Sequence, residues 1–279
     1  MNAEFDRDWR RWHRERVTSV TSPHGPAALV LSCWLNETAG HVDGLPGSWR
    51  KADGAAIGEG LGGVPLRPAE GPERLGERWR IGEGDILFLG DRALRVFVRD
   101  DEVALRVFDP GSPPLRTLEG IETFPPDPSW VVRGIYLPAE AKASFAVVET
   151  VDGRSRVSTI GGTVEFSHPD GSPLRLVVHE SPEGLHAVFS DTTSGSESYR
   201  FRFLDLPLPN PDGTVAVDLN RAHLPPCAFS DHFACPFPDP RNRLSAAIRA
   251  GERAILRTGL RVEIGGLVAA HEADQAKGR

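Results

Sequence analysis

Apolar residues along this chain follow two periods, and the change from one to the other divides it. Over residues 4–19, Phe5, Trp9, Trp12 and Val17 recur at near-helical spacing with arginines between them, which predicts an amphipathic helix. Ser22-Pro23-His24-Gly25-Pro26 breaks it. The nearly unbroken apolar run over residues 27–35 suits a buried strand or a short buried helix, and periodicity does not separate the two. Residues 41–76, rich in glycine and proline, read as loops with one or two short strands. Beyond them the period falls to two. Strands are predicted over 78–81, 86–89, 94–99 and 103–108, separated by turn signals at the short spacing of an all-β unit. Asp109-Pro110-Gly111-Ser112-Pro113-Pro114 closes this block as the best internal boundary, although its length also fits a loop inside one domain.

A second β block starts at Trp130, with strands predicted over 131–137, 143–150, 157–160, 162–167, 173–178, 185–190, 199–206 and 214–219. Asp152-Gly153 and Asp170-Gly171 read as hairpin connections, since glycine there supplies a positive φ. A short C-terminal helix is expected over 244–250, stopped by Gly251 as its C-cap, and residues 269–279 read as a frayed tail. The expected fold is mostly β: antiparallel sandwich- or barrel-like units with an N-terminal helix and a short C-terminal helix. The divisions are a helix and linker (1–25), an N-terminal β unit (26–115), a β-barrel-like unit (116–268) and the tail (269–279). The 29 glycines and 24 prolines agree with many short strands joined by turns.

Charge narrows the partners. The formal net charge is -7, which argues against a phosphate-backbone partner. The basic cluster Arg7, Arg10, Arg11, Arg14 and Arg16 is the exception, and reads as a solvated helix face. No apolar run has membrane-spanning length, the polar start is unlike a signal peptide, and three cysteines make no disulfide framework. A cytoplasmic protein is expected, with no nucleic-acid or membrane partner, no cofactor, and a small-molecule ligand as the partner to look for.

Three stretches depart from generic β sequence: Asp191-Thr192-Thr193-Ser194-Gly195-Ser196-Glu197-Ser198-Tyr199, Asp218-Leu219-Asn220-Arg221-Ala222-His223-Leu224-Pro225-Pro226-Cys227-Ala228, and Cys235-Pro236-Phe237-Pro238-Asp239-Pro240-Arg241-Asn242-Arg243-Leu244 running on to Ala250-Gly251-Glu252-Arg253. Together they resemble the bacterial and archaeal domain of unknown function 1684 family. Its members carry phrases like D-x-T-S-G-x-E-T-Y, D-F-N-R-A-Y-N-P-P-C-A, C-P-L-P-P-x-E-N-R-L and I-x-A-G-E-K. The resemblance implies no established activity. Tyr199-Arg200-Phe201-Arg202 replaces the family's Y-G-A-G-R, so the family arginine falls on Arg202 only with one residue deleted. His223 and Leu224 stand where relatives tend to have Tyr and Asn.

The candidate chemistry is weighed against simpler roles. Cys227, His232 and Cys235, with His223 nearby, are the candidate metal ligands, but their spacing is wrong for a zinc site and small buried thiols explain them. A Cys227 nucleophile would need a base such as His223, and Pro225-Pro226 prevents both from sharing a regular helix face. Asp191 to Gly195 is typical turn chemistry, or a polar cluster at a barrel mouth where Asp191, Ser194, Tyr199, Arg202 and Arg221 would contact an anionic or hydroxylated ligand. The pairs Asn220-Arg221 and Asn242-Arg243 read best as scaffold for a proline-rich loop. Three functions stay open: a small-molecule binder in a β-barrel-type cavity, an enzyme using Asp191, His223 or Cys227 there, and a structural or partner-binding protein with no pocket.

Overall fold

The computed structural model describes residues 3–140, 145–259, 261–264 and 267–270. The chain is mostly β and antiparallel, with two compact units, Ser19–Arg116 and Met1–Thr18 with Thr117–Arg279. Helix α1 (Ala3–Val20) opens with Glu4 and Asp6 in its first turn, where carboxylates favour the positive end of the helix dipole. Trp9, His13 and Arg16, at helical spacing, turn inward against the second of these units. The Trp9 indole N–H donates to the Asn220 carbonyl at 3.3 Å, and His13 Nε2 lies 3.2 Å from the Ile121 carbonyl. Arg7, Arg10, Arg11 and Arg14 are exposed.

Within Ser19–Arg116, β1 (Leu29–Trp34), β2 (Ser48–Ala52), β3 (Ala55–Glu59), β4 (Leu66–Pro68), β5 (Glu73–Leu75), β6 (Arg78–Ile81), β7 (Leu87–Leu89), β8 (Arg92–Arg99) and β9 (Glu102–Phe108) form two sheets, ordered β1-β9-β8-β7-β4 and β2-β3-β6-β5. The ambiguous apolar run is a strand. The glycine-rich stretch from 41 to 76 holds four short strands, more than its composition signals. Trp49 is the reason one glycine is needed there: a Cβ on Gly58 would meet the Trp49 ring at 2.8 Å. Trp49, Trp79, Ile81, Leu87, Leu94 and Leu105 share this unit's core.

The other unit continues after a short helix, α2 (Pro113–Arg116), that ends the first. Its strands are β10 (Leu118–Thr123), β11 (Val131–Pro138), β12 (Phe145–Glu149), β13 (Ser155–Thr159), β14 (Gly162–Ser167), β15 (Pro173–Ser181), β16 (Gly184–Phe189), β17 (Arg202–Leu206), β18 (Thr214–Asp218), β19 (Glu252–Arg257), β20 (Arg261–Ile264) and β21 (Leu267–Ala270). Six of them, ordered β17-β16-β15-β14-β11-β18, form an antiparallel half-barrel. Its concave core comes from alternate positions, Val164 and Phe166, Leu176 and Val178, Leu185 and Phe189, Leu204 and Leu206, Val215 and Val217, as period two requires. Strands β12 and β13 pair as a hairpin, and β10-β19-β20-β21 form a further sheet. Gly153 and Gly171 take φ of 77° and 90° at the two Asp-Gly turns, as their sequence predicts.

The expected helix over 244–250 is absent. That segment is irregular, bent at Ser245 and Ala246, and its start lies beside the end of β16: Ser190 donates to the Asn242 carbonyl at 3.0 Å and receives Leu244 N–H at 2.8 Å. Gly251 is no helix cap either. Its φ is 79°, and a Cβ there would meet the Ala222 carbonyl oxygen at 2.3 Å, so glycine admits a close backbone crossing. A sandwich is not confirmed. Of the expected tail, residues 269 and 270 end strand β21, and residues 271–279 lie outside the described residues.

Candidate functional site

The turn after β16 is closed by its own polar side chains. Asp191 Oδ1 accepts from the Thr193 backbone at 2.7 Å and the Thr193 hydroxyl at 2.6 Å, and the Thr193 and Ser198 hydroxyls are 2.8 Å apart. Gly195 takes φ 80° and its N–H bonds the Ser198 carbonyl at 2.8 Å. Short hydroxyl and carboxylate side chains therefore bond their own backbone, as such residues do in turns.

Behind this turn Arg202, at the start of β17, is fully buried. Its Nη2 meets Asp191 Oδ2 at 2.6 Å and the Ile248 carbonyl at 2.8 Å, while Nη1 donates to the Ala250 carbonyl at 2.5 Å. Phe124 and Phe189 cover the guanidinium. Burial pulls its pKa down and the Asp191 carboxylate opposes that. This arrangement explains the missing helix: 244–250 stays irregular because one planar guanidinium satisfies carbonyls that would otherwise need a helix or a strand partner.

A second buried charge adjoins the first. The Glu252 side chain, also inaccessible, accepts Leu224 N–H at 2.7 Å and faces Arg16 Nε at 3.2 Å. Arg16 in turn donates to the Leu224 carbonyl at 2.7 Å. Burial raises the Glu252 carboxyl, with Arg16 pulling the other way. Arg16 thus leaves the solvated helix face expected for the basic cluster.

The two asparagines replace main-chain partners. Asn220 accepts Asp127 N–H at 2.9 Å and donates to the Asp127 carbonyl at 3.0 Å. Asn242 sits where β15 and β16 part beyond the His179–His186 pair. Its amide accepts Val177 N–H at 2.7 Å and donates to the Val177 and Val188 carbonyls, each at 2.9 Å. The scaffold role expected of both asparagines is what their bonds describe, although the groups they satisfy belong to strands and a turn, outside the proline-rich loop.

The parting of the strands opens a groove made of two adjoining cavities. One, of about 810 Å³, is lined by Ser190, Asp191, Ser194, Arg200, Phe237 and Arg243 among others. The other, of about 460 Å³, has His179, His186 and Asn242 on its walls, and the two share Val148, Phe237 and Asp239. The Arg200 guanidinium lies 5.6, 5.3 and 5.4 Å from the rings of Tyr199, Phe201 and Phe237. Arg243 is exposed and has no ion-pair partner among the described residues. On the same wall Asp191 is taken by Arg202 and Asp239 by Arg241 at 2.8 Å, leaving Glu149 as the acidic side chain facing these cations.

The candidates singled out from the sequence are dispersed. Asp191 and Ser194 line the larger cavity. Arg202 stands behind it with its terminal nitrogens occupied, so as a ligand contact it is corrected to a scaffold residue. Arg221 pairs with Asp218 at 3.1 Å on the surface, away from both cavities. Tyr199 is buried, its hydroxyl 3.4 Å from the Cys227 carbonyl. The three candidate catalytic residues do not converge: neither His223 nor Cys227 lines a cavity with Asp191. His223 Nε2 lies 3.8 Å from Asp205, which bonds His186 at 2.6 Å. Burial, aided by the Arg16 charge, lowers the His223 pKa to about 4. His232 is exposed, and among the described residues no group of three or more His, Cys, Asp or Glu is placed to hold a metal ion. Sequence reading gave Arg243 only a scaffold role beside Asn242 and missed the burial of Arg16 and Glu252; of the groove residues it had singled out Asp191, Ser194 and the Arg-for-Gly change at Arg200.

Half-barrel, buried charge knot and groove together define a mostly-β protein whose motif residues build a scaffold around a cleft. The chain belongs to the family described as protein of unknown function DUF1684, which matches residues 116–253. No curated protein matches it. Among solved structures it is similar to the solution NMR structure of an uncharacterized protein of Haloarcula marismortui, with 30% identity over 48% of this chain and 76% of that one, at a TM-score of 0.39. No helix is long and apolar enough to cross a membrane among the described residues.

Proposed function

We propose that this is a binding protein for a small anionic molecule, held in the groove of the half-barrel unit. The observation that carries the reading is the pair of cations on the wall of the 810 Å³ cavity, Arg200 on its aromatic bed and Arg243 with no ion-pair partner among the described residues. A guanidinium can grip a carboxylate or phosphate at two points, and cavities of this size suit small ligands. Ser194 supplies a hydroxyl, and Phe237 a flat apolar wall between the two cavities. Asp191 acts through Arg202 and the turn, shaping the wall on which Ser194 sits. A cytoplasmic location and the absence of nucleic-acid partners stay part of this proposal, in keeping with the acidic balance of the chain.

A thermal-shift screen of small carboxylates and phosphate esters tests it. At least one anion is expected to raise the melting temperature of the wild type, and the shift should vanish in an Arg200→Gln/Arg243→Gln double variant. An anion that stabilises both proteins equally, or no stabilising anion at all, refutes the reading.

A further inference from the structure

The proline-rich turn after Leu224 folds two cysteines against each other. Pro225 and Pro226 start the short 3-10 turn Pro226–Ala228, whose fixed φ values aim the Cys227 backbone N–H at the Cys235 sulfur, 3.3 Å away. Both cysteines are buried and neither is in a disulfide. The Tyr199 hydroxyl stands 3.9 Å from the Cys227 sulfur, with the Arg200 cation close by. The Cys235 carbonyl accepts Val151 N–H at 2.9 Å, and Phe237 N–H donates to the Glu149 carbonyl at 2.8 Å. The segment that carries Cys235 is thus stitched to the β12–β13 hairpin and sets Phe237 into the groove wall.

Scattered buried thiols are inert, but here the backbone of one cysteine touches the sulfur of the other, with a tyrosine hydroxyl and a cation beside the Cys227 sulfur, an arrangement suited to reaction. We propose that Cys227 and Cys235 form a redox-modification site, where a hydroperoxide converts the two thiols into an intramolecular disulfide. The Cys227 thiolate attacks the peroxide, the O–O bond breaks, and the Cys227 sulfur becomes a sulfenic acid as hydroxide leaves and takes a proton to become water (or an alcohol, from an organic peroxide). The Cys235 thiol then attacks that sulfur and a second water departs, so two thiols are oxidised and one peroxide is reduced. Cys227 is the attacking sulfur because the Cys235 hydrogen bond, Tyr199 and Arg200 hold its thiol below the usual range, against burial. A hydroperoxide fits because the sulfurs are almost inaccessible, and hydrogen peroxide is nearly as small as water. The site stands whatever occupies the groove.

The test is a hydrogen peroxide titration of the full chain, followed by alkylation of remaining thiols and peptide mapping. A linked Cys227–Cys235 peptide is expected before any oxidation of Cys33, whose thiol burial pushes up, and dithiothreitol should restore all three thiols. Oxidation of Cys33 first, or Cys227 passing to sulfinic acid without a link, overturns the proposal. In Cys235→Ser the sulfenic acid should persist at Cys227 and be trapped by dimedone, and a folded variant that gives no adduct also overturns it. Arg200→Gln should slow formation of the link several-fold in the wild-type background.

Discussion

Arg202 and Arg200 stand two residues apart and serve different regions. Arg202 is closed off from solvent, with its terminal nitrogens divided between the Asp191 carboxylate and the carbonyls of Ile248 and Ala250. Arg200 lies over three aromatic rings on the rim of a cavity, and Arg243 shares that rim with no ion-pair partner among the described residues. The donors of Arg202 are committed to the backbone, and withdrawing them would leave a carboxylate and carbonyls buried and unpaired. The donors of Arg243 on the rim are available to something that arrives, while Arg200 is shared with Tyr199 and Cys227. The comparison separates residues that make the cleft from residues that can use it, although both kinds lie in one motif.

Breaking the buried side should have the largest effect. Arg202→Ala is expected to cost about 3–5 kcal/mol in urea denaturation, because it strands the Asp191 charge. A loss below about 1 kcal/mol would mean that residues 244–250 hold their irregular path without it.

Next comes the acid limb. His223 stays neutral in the fold down to a pKa of about 4, against 6.5 for an ordinary histidine. Between these values the unfolded chain binds the extra proton, so stability falls as pH drops from 6.5 through 4, by up to about 3 kcal/mol from this group. Glu252 works in the opposite sense. Its raised carboxyl binds its proton more tightly when folded, so its stabilising contribution is present at low pH and is lost as pH rises through the raised value. His223→Leu should therefore flatten the pH dependence of stability between 6.5 and 4, and an unchanged slope would place the acid sensitivity elsewhere.

Asn242→Leu should cost about 2 kcal/mol by leaving Val177 N–H and two carbonyls without partners. Hydrogen exchange at Val177 is the local readout, since a general loosening would not single it out. The smallest stability effect belongs to the rim. Arg243→Gln should change stability by less than about 0.5 kcal/mol, yet weaken anion binding roughly tenfold in a titration, one lost charge-assisted contact. If Arg243→Gln destabilised the protein as Arg202→Ala does, the division between the two regions would fail.

Period-two alternation located the half-barrel strands closely: β14 has the expected bounds, and the Asp-Gly turns lie where glycine was needed. Strands β10 and β19 escaped notice because their alternation is interrupted. Glu252 is charged yet inaccessible at the head of β19, and no local pattern announces that Arg16 and Leu224 will meet it. Arg202 and Asp191 stood out as candidates, but a charged residue in a motif reads the same whether it faces a ligand or a backbone carbonyl.

By itself, then, the sequence determined the class of fold, the family, the N-terminal helix and the turn chemistry, because each depends on neighbours within a few residues. Tertiary structure alone decided that 244–250 is not a helix, that Asn242 stands in for a missing strand pair, and that Arg200 and Arg243, rather than Arg202 and Arg221, face the groove. The physical reason is that a side chain's donors go to the best acceptors within reach in space. For Arg202 two of those, the Ile248 and Ala250 carbonyls, lie more than forty residues away along the chain.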